Sequence, residues 1–109
     1  MGTSREESIY RFVKLIDACK ECWRMMRAEA TRNQFERFAF ELERELRRLG
    51  GTYVPTLEQP APDSENQLKN TVALYEDALT LVASAHARAM LTRQIQEIRK
   101  MSGLLDQAA

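Results

Sequence analysis

The chain has 109 residues, 44% of them hydrophobic, with 16 Lys and Arg offset by 16 Asp and Glu. That size suits one small domain with a single core, and the cancelled charge leaves no global field to attract nucleic acid or an anionic membrane. No apolar run approaches the about 20 residues that cross a bilayer, and four Gly and three Pro among abundant Arg, Glu, Leu and Ala argue for helices over sheet.

The opening MGTSREES lacks the apolar centre of a signal peptide, and Gly2-Thr3 reads as a cloning remnant, so a cytoplasmic protein is expected. The first helix is predicted over 4–30, with Glu6 and Glu7 where acids suit the N-terminal dipole. Its apolar stripe is Ile9, Phe12, Val13, Ile16, Cys19, Trp23, Met26 and Ala30. Thr31, Arg32 and Asn33 form the expected break, because Thr and Asn are good N-caps and the stripe restarts after them. Direct continuation into the next helix is the alternative, since no Gly or Pro enforces the break.

The second helix is predicted over 32–49. Phe35, Phe38, Ala39, Leu42, Leu46 and Leu49 recur at spacings of three and four with Glu and Arg between them. Arg47 and Arg48 favour its C-terminal dipole, and Gly50-Gly51 ends it through the left-handed conformation open to glycine.

Residues 50–63, GGTYVPTLEQPAPD, form a connection whose three prolines forbid a helix. Stretched from Gly50 to Ser64, such a segment spans on the order of 45 Å, against roughly 27 Å for a helix of about 18 residues. It is therefore long enough to return along the whole bundle, which permits a long-crossover topology as well as a simple up-down one.

The third helix is predicted over 64–81, capped by Asp63 or Ser64, with Leu68, Val72, Tyr75, Leu79 and Val82 on its stripe. The fourth is predicted over 84–107, with Ser84 as N-cap and Ala87, Leu91, Ile95, Ile98, Ser102 and Leu105 on its stripe. The rival is one helix of about 40 residues, which needs a partner chain to cover its stripe.

The runs Leu15-Ile16-Asp17-Ala18-Cys19-Lys20, Glu45-Leu46-Arg47-Arg48-Leu49-Gly50-Gly51 and Tyr75-Glu76-Asp77-Ala78-Leu79 resemble an uncharacterised bacterial family of ferritin-like four-helix bundles. That family is a domain of unknown function, distantly similar to rubrerythrins and bacterioferritins. The resemblance covers most of residues 8–107. It implies an all-α, antiparallel four-helix bundle with a long Pro-rich connection between helices two and three. The connection here is shorter than the family's, whose members carry an extra helical segment there.

Ferritin-like proteins hold two iron or manganese ions with a Glu from each of two helices and Glu-x-x-His from each of the other two. This chain has no Glu-x-x-His, and its one histidine, His86, has Ala83 and Ala89 three residues away. Trp23 stands where the resemblance would put a metal carboxylate on the first helix, and Ser102 where it would put a histidine on the fourth. The apolar stripes contain no carboxylate. The expectation is a retained fold, no dinuclear site and no cofactor.

Cys19-Lys20-Glu21-Cys22 is a C-x-x-C inside a helix rather than at a helix start after a strand, so buried free thiols are the first reading. The alternatives are a metal or disulfide shared between subunits, or a redox role. As metal-ligand candidates we name Cys19, Cys22 and His86; His86 is otherwise expected at the surface. Trp23, Met26, Phe35, Phe38, Phe40 and Tyr75 are candidates for core or subunit interface, with a pocket for a small apolar ligand as the alternative. The arginines interleave with Glu29, Glu36, Glu41, Glu43 and Glu45 in a pattern of surface ion pairs. Phe40, Met25 and Cys22 fall off the main stripes as a second apolar fringe that a homodimer or larger homo-oligomer would bury. The expected function is a non-enzymatic structural or interaction module with no catalytic residues.

Overall fold

The computed structural model describes residues 5–56 and 61–108, with side chains described as far as Met101. The described residues form four α-helices and no strand: α1 (Arg5–Met25), α2 (Glu29–Arg48), α3 (Ser64–Leu81) and α4 (Ala85–Ala108). None of the four is long and apolar enough to cross a membrane. Residues 1–4, 57–60 and the side chains of Ser102 and Leu105 lie outside the described residues, and with them the readings made there.

Each boundary has a local cause. The break between α1 and α2 falls at residues 26–28, not at 31–33, and Ala28 is extended (φ −71°, ψ 126°) with no side-chain cap. Thr31 and Asn33 lie inside α2. Ser64, the first residue of α3, borders the same hollow as Met25 and Ala28, so a longer α1 would project beyond the neighbour that buries it. Glu29 then supplies the negative charge that an uncapped N-terminus favours.

At the other end of α2, Gly50 takes φ +85°. Its N–H bonds the Arg47 carbonyl at 2.9 Å and that of Gly51 bonds Leu46 at 3.0 Å, the paired bonds of a Schellman cap. Gly51 has no room for a side chain, since a Cβ would sit 2.7 Å from Leu46 Cδ1 and 2.9 Å from Ile9 Cγ2. Asp63 caps α3, its Oδ1 accepting from the Asn66 N–H at 2.8 Å. Helices α3 and α4 are separate although no Gly or Pro divides them. Val82 is extended (φ −76°, ψ 123°), the Ser84 hydroxyl accepts from the Ala87 N–H at 3.4 Å, and Arg88 reaches back to the carbonyls of Leu79 and Val82.

Helix α1 packs on α2 and α3, and α4 packs on the same two, so the order around the bundle is α1, α2, α4, α3. Neighbours run antiparallel. Along α1 and α3, Arg11 meets Asp77, Cys19 meets Tyr75 and Cys22 meets Thr71. Along α2 and α4, Gln34 meets Glu97, Glu41 meets Arg93 and Glu45 meets His86. Helices α2 and α3 therefore run in the same direction on opposite corners, and the chain between them must travel the length of the bundle. Its described residues touch α1 and then α3. Gly51 lies against Ile9, the Tyr53 hydroxyl and the Thr56 N–H both donate to Asp17, and the Ala61 N–H donates to Gln67.

The buried faces are rotated from the apolar stripes. On α1 the core takes Phe12, Leu15, Ile16, Ala18, Cys19 and Cys22, so Cys22 belongs to the core and not to an outer fringe. Trp23 turns outward. On α3 the buried face includes Gln67 and Thr71, and on α4 it includes Gln94. Glu45, grouped with the surface acids by its spacing, is buried on the α4-facing side of α2, 3.7 Å from Arg48 and 4.0 Å from His86.

Candidate functional site

The centre of the bundle is polar without being charged. Three helices supply it: Cys19 and Cys22 from α1, Gln67, Thr71 and Tyr75 from α3, and Gln94 from α4, all buried. The α3 residues stand at intervals of four, which places them in one column on the core-facing side.

Two hydrogen-bond chains organise the six side chains. The Tyr75 hydroxyl donates to Gln94 Oε1, so the Cys19 thiol, 3.4 Å away, must donate to the Tyr75 oxygen. The Thr71 hydroxyl donates to the Gln67 carbonyl at 2.7 Å, so the Cys22 thiol at 3.3 Å donates to Thr71 Oγ1. Gln67 Nε2 adds donations to Thr71 and to the Ala18 carbonyl, both at 3.4 Å. Both thiol protons are thus committed as donors. Burial pushes the Cys19 thiol far above its usual range, against a smaller opposing effect of the Tyr75 hydrogen bond. Burial likewise pushes Cys22 up to about 11, and Tyr75 is raised well above its usual range by burial and then by Cys19. Gln94 Nε2 is the one described buried side-chain polar atom without a partner.

This donor set does not fit a dinuclear iron or manganese centre, which needs several carboxylates and imidazoles facing one another. Among the described residues no three His, Cys, Asp or Glu side chains cluster in a way that could hold a metal ion. Trp23 is not in the centre; the thiols occupy the α1 positions there. His86 is not brought to Cys19 and Cys22. It is exposed at the start of α4 beside Glu45, at the end of the bundle where Gly51 packs on Ile9 and Leu46. Cys19 lies ten residues beyond Ile9 along α1, roughly 15 Å.

The aromatic candidates separate into two groups. Phe35, Phe38 and Tyr75 are buried, with Phe35 and Phe38 edge to face at 5.8 Å between ring centres, and Met26 is half-buried against the core. Trp23 and Phe40 are exposed, by 36% and 60%. They flank an open groove of about 410 Å³ between α1 and α2, floored by Phe35 and Ala39. The Arg32 guanidinium lies over the Trp23 ring at 5.3 Å. Sequence reasoning missed Gln67, Thr71 and Gln94. A signal exists for two of them, since Gln67, Thr71 and Tyr75 share one helix face, but a stripe drawn from apolar residues alone leaves polar members out.

No protein-family profile matches this chain, and no curated protein or solved structure matches it significantly.

Proposed function

We propose that the protein is a ferritin-like four-helix bundle without dinuclear metal chemistry, and that it works as a non-enzymatic structural or interaction module that self-associates. One observation carries this reading: the bundle centre is filled by neutral, hydrogen-bonded side chains whose thiol protons are already in use. A carboxylate-bridged metal pair has no ligands there. The ring order α1, α2, α4, α3 and the lengthwise connection between α2 and α3 support the ferritin-like topology, which is the bundle class with one long crossover. Self-association draws support from Phe40, a large apolar side chain left in water beside Trp23.

Sedimentation velocity across micromolar concentrations tests the reading. The wild type is expected to sediment as a dimer or larger species, and Phe40→Asp as a monomer with unchanged helicity. A wild-type monomer throughout that range would overturn self-association. Stoichiometric iron or manganese in protein purified without chelators would overturn the scaffold reading.

A further inference from the structure

The groove between α1 and α2 has walls of opposite sign. Its α1 wall carries Lys20 and Arg24, and its α2 wall carries Glu36 and Glu43. Lys20 and Glu43 already meet within the chain at 3.4 Å, which sets the two helices level at that point. Among the described residues Arg24 reaches only Glu21, at 3.4 Å, and its side chain is 70% exposed. Glu36 is exposed and has no ion-pair partner among the described residues. Two opposite charges are therefore left facing outward, with Phe40 between Glu36 and Glu43 along α2.

We propose that this face binds a second copy of the chain about a two-fold axis parallel to the helices, so that α1 of each copy lies over α2 of the other and Arg24 pairs with Glu36 across the interface. The inference rests on the self-association reading and supplies its geometry. A face made of two antiparallel helices can meet its own copy about either of two in-plane axes. An axis perpendicular to the helices stacks α1 on α1, which sets Lys20 and Arg24 against themselves and Glu36 and Glu43 against themselves. That like-charge juxtaposition is disfavoured. An axis parallel to the helices exchanges the walls and preserves height, so basic meets acidic twice.

The heights agree. Starting from the level of Lys20 and Glu43, Arg24 is about 6 Å further along α1 and Glu36 about 10 Å further back along α2. Two long side chains close that difference. Phe40 falls at an intermediate height, so each ring lies on the aliphatic stems of the other copy's Lys20 and Arg24.

Charge reversal tests the arrangement on the full chain, with the dimer dissociation constant read by sedimentation equilibrium and folding checked by circular dichroism. Arg24→Glu and Glu36→Arg are each expected to weaken the dimer roughly tenfold, because each turns two attractions into two repulsions. The double reversal restores it, and the two single variants mixed together form a heterodimer in preference to either homodimer. Arg24→Gln and Glu36→Gln, which are gentler on the fold, shift affinity in the same direction by about threefold. Single reversals that leave the wild-type dimer unchanged overturn the parallel-axis arrangement while self-association stands. A monomeric wild type overturns both.

Discussion

The Tyr75 hydroxyl on α3 donates to the Gln94 carboxamide on α4, and both side chains are fully buried. This bond ties two helices that are joined by only a three-residue turn, and through Cys19 it extends to α1. A buried polar bond of this kind contributes little net stability when complete, because its partners gave up water to form it. Losing one partner is different. The survivor keeps its desolvation cost with nothing in return.

Tyr75→Phe is therefore expected to destabilise the fold by about 1–3 kcal/mol, since Cys19 and Gln94 Oε1 both lose their partner. Gln94→Met in the same chain removes the stranded carboxamide, including the Nε2 already without a partner, and is expected to recover most of that loss. Urea unfolding of wild type, single and double variants measures both numbers. A double variant no better than Tyr75→Phe alone would mean that the network is incidental to stability.

Polar atoms decide how much of the fold is legible in the sequence. Helix ends with local chemistry were legible: Asp63 and Ser84 cap the helices they precede, and Gly50 ends α2. The break at residues 26–28 was not, because it is set by where α3 begins in space rather than by any cap. The rotation of the α1 face was missed for a similar reason. Trp23 is more hydrophobic than Cys22, yet the tightly packed centre takes the smaller thiol, which can also donate to Thr71. Gln67 and Thr71 pair with each other and with α1, and Gln94 pairs with Tyr75 of α3, so their burial depends on contacts that a helical stripe does not encode. Spacing groups Glu45 with the surface acids because it does not reveal how closely α4 approaches α2.

The committed thiol protons give a prediction about alkali. A thiol whose folded pKa lies above its unfolded value is protonated in the native state and ionised in the unfolded one at intermediate pH. Its contribution to stability is full below about 9 and declines as pH rises toward about 11, the folded value of Cys22. Between pH 9 and 10 the slope approaches 1.4 kcal/mol per pH unit for each such thiol, and Cys19 is shifted in the same direction. Urea unfolding at several pH values should show this decline. Cys22→Ser should remove about half of it between pH 9 and 10, above which Tyr75 and Tyr53, raised in the same direction, add to it. Thiol-directed reagents at pH 8 should label both cysteines only as fast as the protein opens. Rapid native labelling, or a flat stability profile over this range, would contradict the assigned donors.

Asp17 anchors the crossing segment to α1, and its removal should separate the connection from the bundle. One carboxylate receives both the Tyr53 hydroxyl and the Thr56 N–H, the latter at 3.0 Å, while Lys20 lies over the Tyr53 ring at 4.1 Å. Burial, and next the hydrogen bond to Asp17, raise the Tyr53 hydroxyl well above its usual range, as befits a donor to a carboxylate. These bonds tie the connection to the outer part of α1, and none of them joins one helix to another. Asp17→Ala is thus expected to leave far-UV circular dichroism nearly unchanged and to lower stability by about 1–2 kcal/mol. Limited proteolysis should then cut within residues 52–62 several times faster than in the wild type, because local opening there no longer breaks two hydrogen bonds to a charged acceptor. Tyr53→Phe should give a smaller effect in the same direction, as it keeps the Thr56 bond. Equal cutting rates for Asp17→Ala and wild type would show that the segment is held by other contacts.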